Sequence, residues 1–215
     1  MPKEKPSEGQ ITKAARKSTK PKRISKSAVR QRFLQKLPKG GLAIEIGVWK
    51  GEFSSTILEL LEPDTLVLID PWTHMVDTSH SEAFVGRTNA SKMDRIFAQV
   101  KNKFEQEISA GRVELIRDFS VPALKNFNDG SISFAYVDGD HSYDGVKADL
   151  AALFPKMKVG GIMAFDDYHR RGWWGDGVIR AINEFLGQNP RALRIRSVVG
   201  AQIAIEVLEI AGGEN

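Results

Sequence analysis

The stretch from Phe134 to Tyr168, FAYVDGDHSYDGVKADLAALFPKMKVGGIMAFDDY, constrains this chain more than any other. Phe134 to Val137 and Val159 to Phe165 are short apolar runs of the kind found in parallel strands buried on both faces. Between them Val146, Leu150 and Leu153 recur at helical spacing and give one apolar stripe. A right-handed strand–helix–strand crossover makes the two strands parallel, side by side or one strand apart, with their C-terminal ends on one edge. Neighbouring strands lie roughly 4.8 Å apart. Asp138, ending the first, and Asp166 and Asp167, ending the second, are then expected in one small volume, with Asp140 and His141 at its rim.

Carboxylates gathered in this way repel one another and raise each other's pKa, so a fold that collects them normally supplies a cation. All-oxygen ligation favours a hard ion, Mg²⁺ first, with Ca²⁺ or Mn²⁺ as alternatives. The competing reading, that these acids only end strands and cap the next helices, stays open on spacing alone.

The rest of the chain repeats the alternation. A short helix is expected from Lys26 to Leu37, a strand at Leu42 to Ile46, and a helix striped by Phe53, Ile57, Leu60 and Leu61. A strand at Leu66 to Ile69 follows, then a long helix through Met93, Ile96, Phe97, Val100, Phe104 and Ile108, a strand at Val113 to Ile116 and a short helix at Val121 to Phe127. Beyond the central unit come a helix with Val178, Ile182 and Phe185 and two strands, Leu193 to Val198 and Gln202 to Val207. Only Val199, Gly200 and Ala201 separate these two, which suits a hairpin and one antiparallel strand. The fold class expected is α/β: a doubly wound, Rossmann-like, mostly parallel seven-stranded sheet with helices on both faces and ligands at the carboxyl ends of the strands.

Glu45-Ile46-Gly47-Val48-Trp49-Lys50-Gly51 closes the first strand and opens the helix after it. Glycines there let backbone approach a ligand. The spacing is not G-x-G-x-x-G, which disfavours a dinucleotide. Asp70, ending the second strand, suits the two hydroxyls of a ribose. The E-x-G-x-x-x-G loop, the acid ending the second strand, Arg117-Asp118-Phe119-Ser120 after the third and Val137-Asp138-Gly139-Asp140-His141 after the fourth resemble class I S-adenosylmethionine-dependent methyltransferases. The closer likeness is to the metal-dependent small-molecule O-methyltransferases, of the catechol and caffeoyl-CoA types and the macrolide and aminocoumarin sugar types. Asp138 and Asp166 stand 28 residues apart, similar to the metal triad of that group.

The resemblance implies Glu45, Gly47, Trp49 and Ser54 around the methionine end of the cofactor, with Gly51 closing that loop. It implies Asp70 on the ribose, Asp118, Phe119 and Ser120 near the adenine, and Asp138 beside both cofactor and metal. It further implies Asp138, Asp166 and Asp167 as metal ligands, with His141 as the catalytic base or Asp140 in its place. The catechol type carries Asn where this chain has Asp167, so the site here holds one more negative charge. His169 is expected as an exposed loop histidine. Trp173 and Trp174 are expected either as an apolar or sugar-stacking wall or as buried against the last helix. The segment from Pro71 to Ala90, with Trp72, His74, Met75, His80 and Phe84, suggests a lid over the acceptor.

Charge is unevenly spread. Residues 1 to 32 carry eleven Lys or Arg against Glu4 and Glu8, leaving 20 basic and 25 acidic residues in the remainder. The basic character therefore belongs to a tail, residues 1 to 25, expected to be disordered ahead of a methyltransferase domain at 26 to 215. An arm for nucleic acid is the less favoured reading of the tail, since no aromatic residue is interleaved for stacking. The absence of cysteine and of an apolar stretch near 18 residues suggests a cytoplasmic protein without a membrane partner. The function expected is O-methylation of a hydroxyl on a small sugar or phenol, using S-adenosylmethionine and Mg²⁺. The alternatives are a metal-independent methyltransferase, including one acting on nucleic acid, and a catalytically silent S-adenosylmethionine-binding module. A homo-oligomer is left open.

Overall fold

Apolar runs too short for helices become the strands of one sheet, because each can bury both its faces. The structure, a computed structural model, describes residues 25–74 and 88–210. Residues 1–24 of the basic tail, and Met75, His80 and Phe84 of the expected lid, lie outside the described residues. The strands are β1 (Leu42–Ile46), β2 (Thr65–Ile69), β3 (Val113–Ile116), β4 (Ile132–Val137), β5 (Met157–Phe165), β6 (Leu193–Val199) and β7 (Gln202–Val207). Their order is β3-β2-β1-β4-β5-β7-β6. All pairings are parallel except those of β7, which runs antiparallel to both β5 and β6. The open choice for the central crossover is thereby decided, since β4 and β5 are direct neighbours with Val137 opposite Phe165.

Alternation along the strands separates two cores. Helices α1 (Lys26–Leu34), α2 (Glu52–Leu61) and α3 (Ala90–Lys103), with the short α4 (Glu105–Ser109), cover the face that carries Ala43, Leu66, Leu68, Phe134, Tyr136, Ile162 and Ala164. Helices α5 (Ser120–Leu124), α6 (Tyr143–Leu153) and α7 (Gly177–Gln188) cover the face that carries Ile44, Ile46, Val67, Ile69, Val137, Met163 and Phe165. The α6 stripe read from sequence is the buried one, and truncating Leu150 there to Ala is worth about 2–5 kcal/mol.

Two elements differ from expectation for visible reasons. The long helix through Phe104 is broken there: α3 ends at Lys103 and α4 begins at Glu105, with Phe104 at φ −108° and ψ 20°. Leaving the helix drops the buried Phe104 ring onto the backbone of Gly51, where an added Cβ would stand 2.7 Å from the ring. Tertiary packing thus overrides a continuous amphipathic pattern. The first helix stops at Leu34 rather than Leu37, although Leu37 remains buried.

The strand order reverses between β1 and β4, because β2 and β3 lie to one side of β1 while β5 lies beyond β4. Ligands of such sheets bind outside the carboxyl ends at that reversal. The loops after β1, β2, β4 and β5 meet there.

Candidate active site

The loop after β1 is fixed by backbone contacts. Gly47 has φ +85°, and a Cβ on it would lie 2.3 Å from the carbonyl oxygen of Asp138. Glycine is therefore required first for passage against the end of β4, a neighbour the sequence did not identify. Gly51 likewise yields space to Phe104 and starts α2 at φ +67°. Trp49, Trp72 and Asp167, at φ 55°, 37° and 54°, follow β1, β2 and β5. Left-handed backbone at non-glycine residues costs on the order of 1 kcal/mol or more each, and three of the four such residues described lie along this one sheet edge, the fourth being Glu62 at the end of α2.

Asp70 supports this loop. Its carboxylate accepts hydrogen bonds from the backbone N–H groups of Val48 at 3.0 Å, Trp49 at 2.9 Å and Trp72 at 2.7 Å. Burial lifts its pKa, and the three N–H groups work against that lift. A carboxylate has about four acceptor positions, so this bracing leaves one for a ligand hydroxyl. Glu45 is buried beneath the loop and accepts a hydrogen bond from Ser54 Oγ. Burial pushes its pKa up to about 8 against the pull of that bond.

After β3, Asp118 is exposed and its carboxylate accepts from the N–H of Phe119 at 2.7 Å. Phe119 is 48% exposed, unusual for a large apolar ring. Ser120 opens α5 and donates its hydroxyl to Asp149, a buried acid of α6.

The rim after β4 and β5 carries the acids. Asp138, His141 and Asp167 each offer a ligand atom within 4.8 Å of the others. His141 Nε2 lies 3.4 Å from Asp138 and 3.1 Å from Asp167, yet forms no well-directed hydrogen bond with either and is buried. Burial alone would depress His141, but the two carboxylates outweigh it and hold its pKa at about 10. Asp167 also lies 3.3 Å from His169 Nε2. Asp166 is tied to the other two acids through cations: its buried carboxylate accepts from Gln202 Nε2 and from Arg30, which also binds Asp138, and pairs at 2.8 Å with Lys26, which also reaches Asp167. Burial would raise Asp166, but Arg30 and Lys26 hold it down to about 2. Burial lifts Asp138 above the usual carboxylate range, despite Arg30 at 2.5 Å.

The structure therefore brings Asp138, Asp167 and His141 into one triple and leaves Asp166 outside it. Asp140 is exposed and accepts from the N–H of Ser142 at 2.8 Å, a turn that leads into α6. Trp174 lies beneath the histidines, 4.8 Å from His141 and 5.5 Å from His169 between ring centroids, and packs against the core. Trp173 stands edge-on to it at 6.0 Å.

Sequence reasoning missed the cations. Lys26 and Arg30 stand four apart on α1 and so project from one side of it. Arg30 also lies over the rings of Phe53 and Tyr136, at 4.9 and 5.7 Å. The i, i+4 spacing was the available signal, and it was lost among the basic residues of the tail. Gln202, which also accepts from Tyr136 OH, carried no signal at all.

The methyltransferase-domain family model matches residues 44–168, more than half of the chain, including the loops after β1 to β4 and the Asp166–Asp167 pair. The chain belongs to that family. It carries a methyltransferase domain, as its motifs led one to expect. A candidate methyltransferase from Streptococcus mutans, solved in complex with SAH, is similar over 86% of this chain and 99% of that one, at 15% identity and TM-score 0.56. The O-methyltransferase NovP is similar over 85% of this chain and 81% of that one, at 17% identity and TM-score 0.58. These likenesses concern the fold. An uncharacterized protein of Acanthamoeba polyphaga mimivirus is 26% identical over 148 residues, 66% of this chain. This chain spans 58% of the length of that curated relative. Among the described residues no helix is long and apolar enough to cross a membrane.

Proposed function

We propose that this methyltransferase transfers the methyl group of S-adenosylmethionine to a hydroxyl of a small acceptor, a sugar or a phenol, with a divalent cation, Mg²⁺ or another, held at the acid rim. The observation that carries the reading is the convergence of Asp138, Asp167 and His141 at the switch point, beside the Gly47 loop. The donor set suits a hard divalent ion: the carboxylates of Asp138 and Asp167, with the buried Nε2 of His141 beside them free of a well-directed hydrogen bond and so able to take a proton. S-adenosylmethionine supplies an activated methyl group, and the cation supplies a Lewis acid for the acceptor oxygen.

The chain's own residues bind, align and move a proton. Glu45, Gly47, Trp49, Gly51 and Ser54 bound the methionine end of the donor, Asp70 takes a ribose hydroxyl, and Asp118, Phe119 and Ser120 receive the adenine. Holding two reactants in line is worth up to roughly 7–11 kcal/mol of the barrier. Asp138 and Asp167 hold the cation, with Asp166 behind them as the anchor of α1. His141 receives the acceptor's proton at Nε2. With the two carboxylates as its only partners it stays protonated; once their charge is engaged elsewhere, the imidazole returns toward about 6.5 and can accept a proton. Trp174 fixes the ring from below.

A second reading has its own observation. Arg30 and Lys26 already balance the acids, so a metal-independent transferase with Arg30 as the resident cation is the competitor. A methyl-transfer screen on sugars and phenols, run with Mg²⁺, Mn²⁺ or EDTA, separates them. Turnover lost in EDTA and restored by added metal supports the first reading, and turnover indifferent to EDTA supports the second.

A further inference from the structure

Asp149 is an acid whose position the chemistry above does not use. It sits in the middle of α6, 3% exposed, and accepts a hydrogen bond from Ser120 Oγ at the start of α5. Burying a carboxylate against one neutral hydroxyl is costly, and a leucine at this place in the helix would fill the same space without the penalty. What the carboxylate adds is direction: it fixes Ser120, and with it the turn in which Asp118 holds the N–H of Phe119. Phe119 is thereby kept exposed rather than folded onto the core. The same helix starts immediately after His141, capped by Ser142, whose hydroxyl accepts from the N–H of Gly145 at 3.1 Å. One rigid element thus reaches the proton-transfer loop at its N-terminus and the loop after β3 through Asp149. Burial lifts the Asp149 pKa to about 6 against the pull of Ser120, with Asp140 adding to the lift.

We propose that Asp149 is a positioning residue for the adenine of the methyl donor: through Ser120 it sets the Asp118–Phe119 turn at a fixed distance from α6, and so tunes affinity and base selectivity without touching the ligand. This rests on the assignment of Asp118, Phe119 and Ser120 to the adenine.

The test is calorimetric binding of SAH and of S-inosylhomocysteine, which differs only in its base, to the wild type and to Asp149→Leu, Asp149→Asn, Ser120→Ala and the Ser120→Ala/Asp149→Leu pair. Melting temperatures are recorded in parallel. Loss of one positioning hydrogen bond is expected to weaken SAH about tenfold. The ratio of the two affinities should shrink in Asp149→Leu and Ser120→Ala, with the double variant no worse than either single one. Asp149→Asn, which keeps an acceptor for Ser120, should recover most of the affinity. A general loss of fold lowers both affinities together and leaves their ratio alone, so it does not imitate this result. If Asp149→Leu does not fold, Asp149→Asn and Ser120→Ala decide. Unchanged affinity and ratio in Ser120→Ala overturn the proposal. Failure of the wild type to bind SAH, or to distinguish the two bases, overturns the adenine assignment instead.

Discussion

The two halves of the edge at which the loops meet are built on different principles. On the β1 and β2 side, the loop is locked by backbone: Asp70 takes the N–H groups of Val48 and Trp49, 22 and 21 residues away, and of Trp72, two residues away, while Gly47 passes against the Asp138 carbonyl. On the β4 and β5 side, the acids are held by long side chains from the other end of the chain, with Arg30 separated from Asp138 by 108 residues and from Asp166 by 136. The first half is tied by hydrogen bonds to fixed backbone, and suits a cofactor that every turnover uses in the same way. The second is a charged network whose members have alternative partners, and suits chemistry in which a proton, a cation and an acceptor exchange places.

The contrast is sharpest in kinetics. His141→Ala is expected to lower turnover by about 10²–10⁴-fold, the range for a positioned acid or base, while SAH affinity stays as it was. Asp70→Ala should do the reverse, weakening SAH because three backbone donors lose their acceptor. Turnover and binding measured on both variants check this; if His141→Ala loses cofactor affinity as severely as Asp70→Ala, the division into halves fails.

A second contrast is in pH. Glu45 has a folded pKa of about 8 against an ordinary value of 4.5, because it is buried. Between those values the native state keeps a proton that the unfolded chain releases, so rising pH removes stability, and above about 8 the effect is complete. The full change amounts to as much as about 5 kcal/mol. Urea unfolding of wild type and Glu45→Gln from pH 5 to 8.5 should show the gap between them shifting in favour of the glutamine variant as pH rises. Parallel curves would mean that Glu45 ionises freely in the fold, and that its surroundings are not the dry environment its burial implies.

The difference between the halves also explains what could be read from sequence. The alternation of strands and helices and the Gly47 loop follow from apolar period and glycine placement, which are local signals, whereas the crossover rule put Asp138 and Asp167 on one edge and left to the structure that their strands are direct neighbours. Asp166 was grouped with them by adjacency in sequence; the structure ties it to both neighbours through cations, Arg30 to Asp138 and Lys26 to Asp167, which adjacency does not record. Arg30 was illegible for a related reason: the acids that hold it, Asp138 and Asp166, lie 108 and 136 residues away. Phe104 breaks its helix to reach Gly51, a contact that no periodicity records.

Arg30 is where the charged half is most exposed to perturbation. Its side chain is 16% exposed, and that of Asp166 is fully buried. Arg30→Met keeps contact with Phe53 and Tyr136 but leaves Asp166 short of its closest cation, and breaking such a pair costs about 3–5 kcal/mol. Equilibrium unfolding with and without Mg²⁺ gives the size and tells which cation the rim prefers. A loss that added metal largely repairs supports the metal-dependent reading, and a loss indifferent to metal supports Arg30 as the resident cation.

The smallest effect is expected from the neighbour on the same face of the helix. Lys26 reaches Asp166 at 2.8 Å and Asp167 at 3.4 Å, but its own side chain is 57% exposed. Solvent screens such a pair and the lysine keeps most of its freedom, so Lys26→Met should change stability by less than about 1 kcal/mol, and less still at high salt. The value of the measurement lies in the pairing with Arg30→Met, because both residues come from α1 and address Asp166. If the rim is held together by burial of charge, the arginine variant dominates and the lysine variant is nearly silent. If the two losses are equal, α1 is held by net charge rather than by geometry, and the acid half is a looser, more salt-sensitive assembly than its contacts imply.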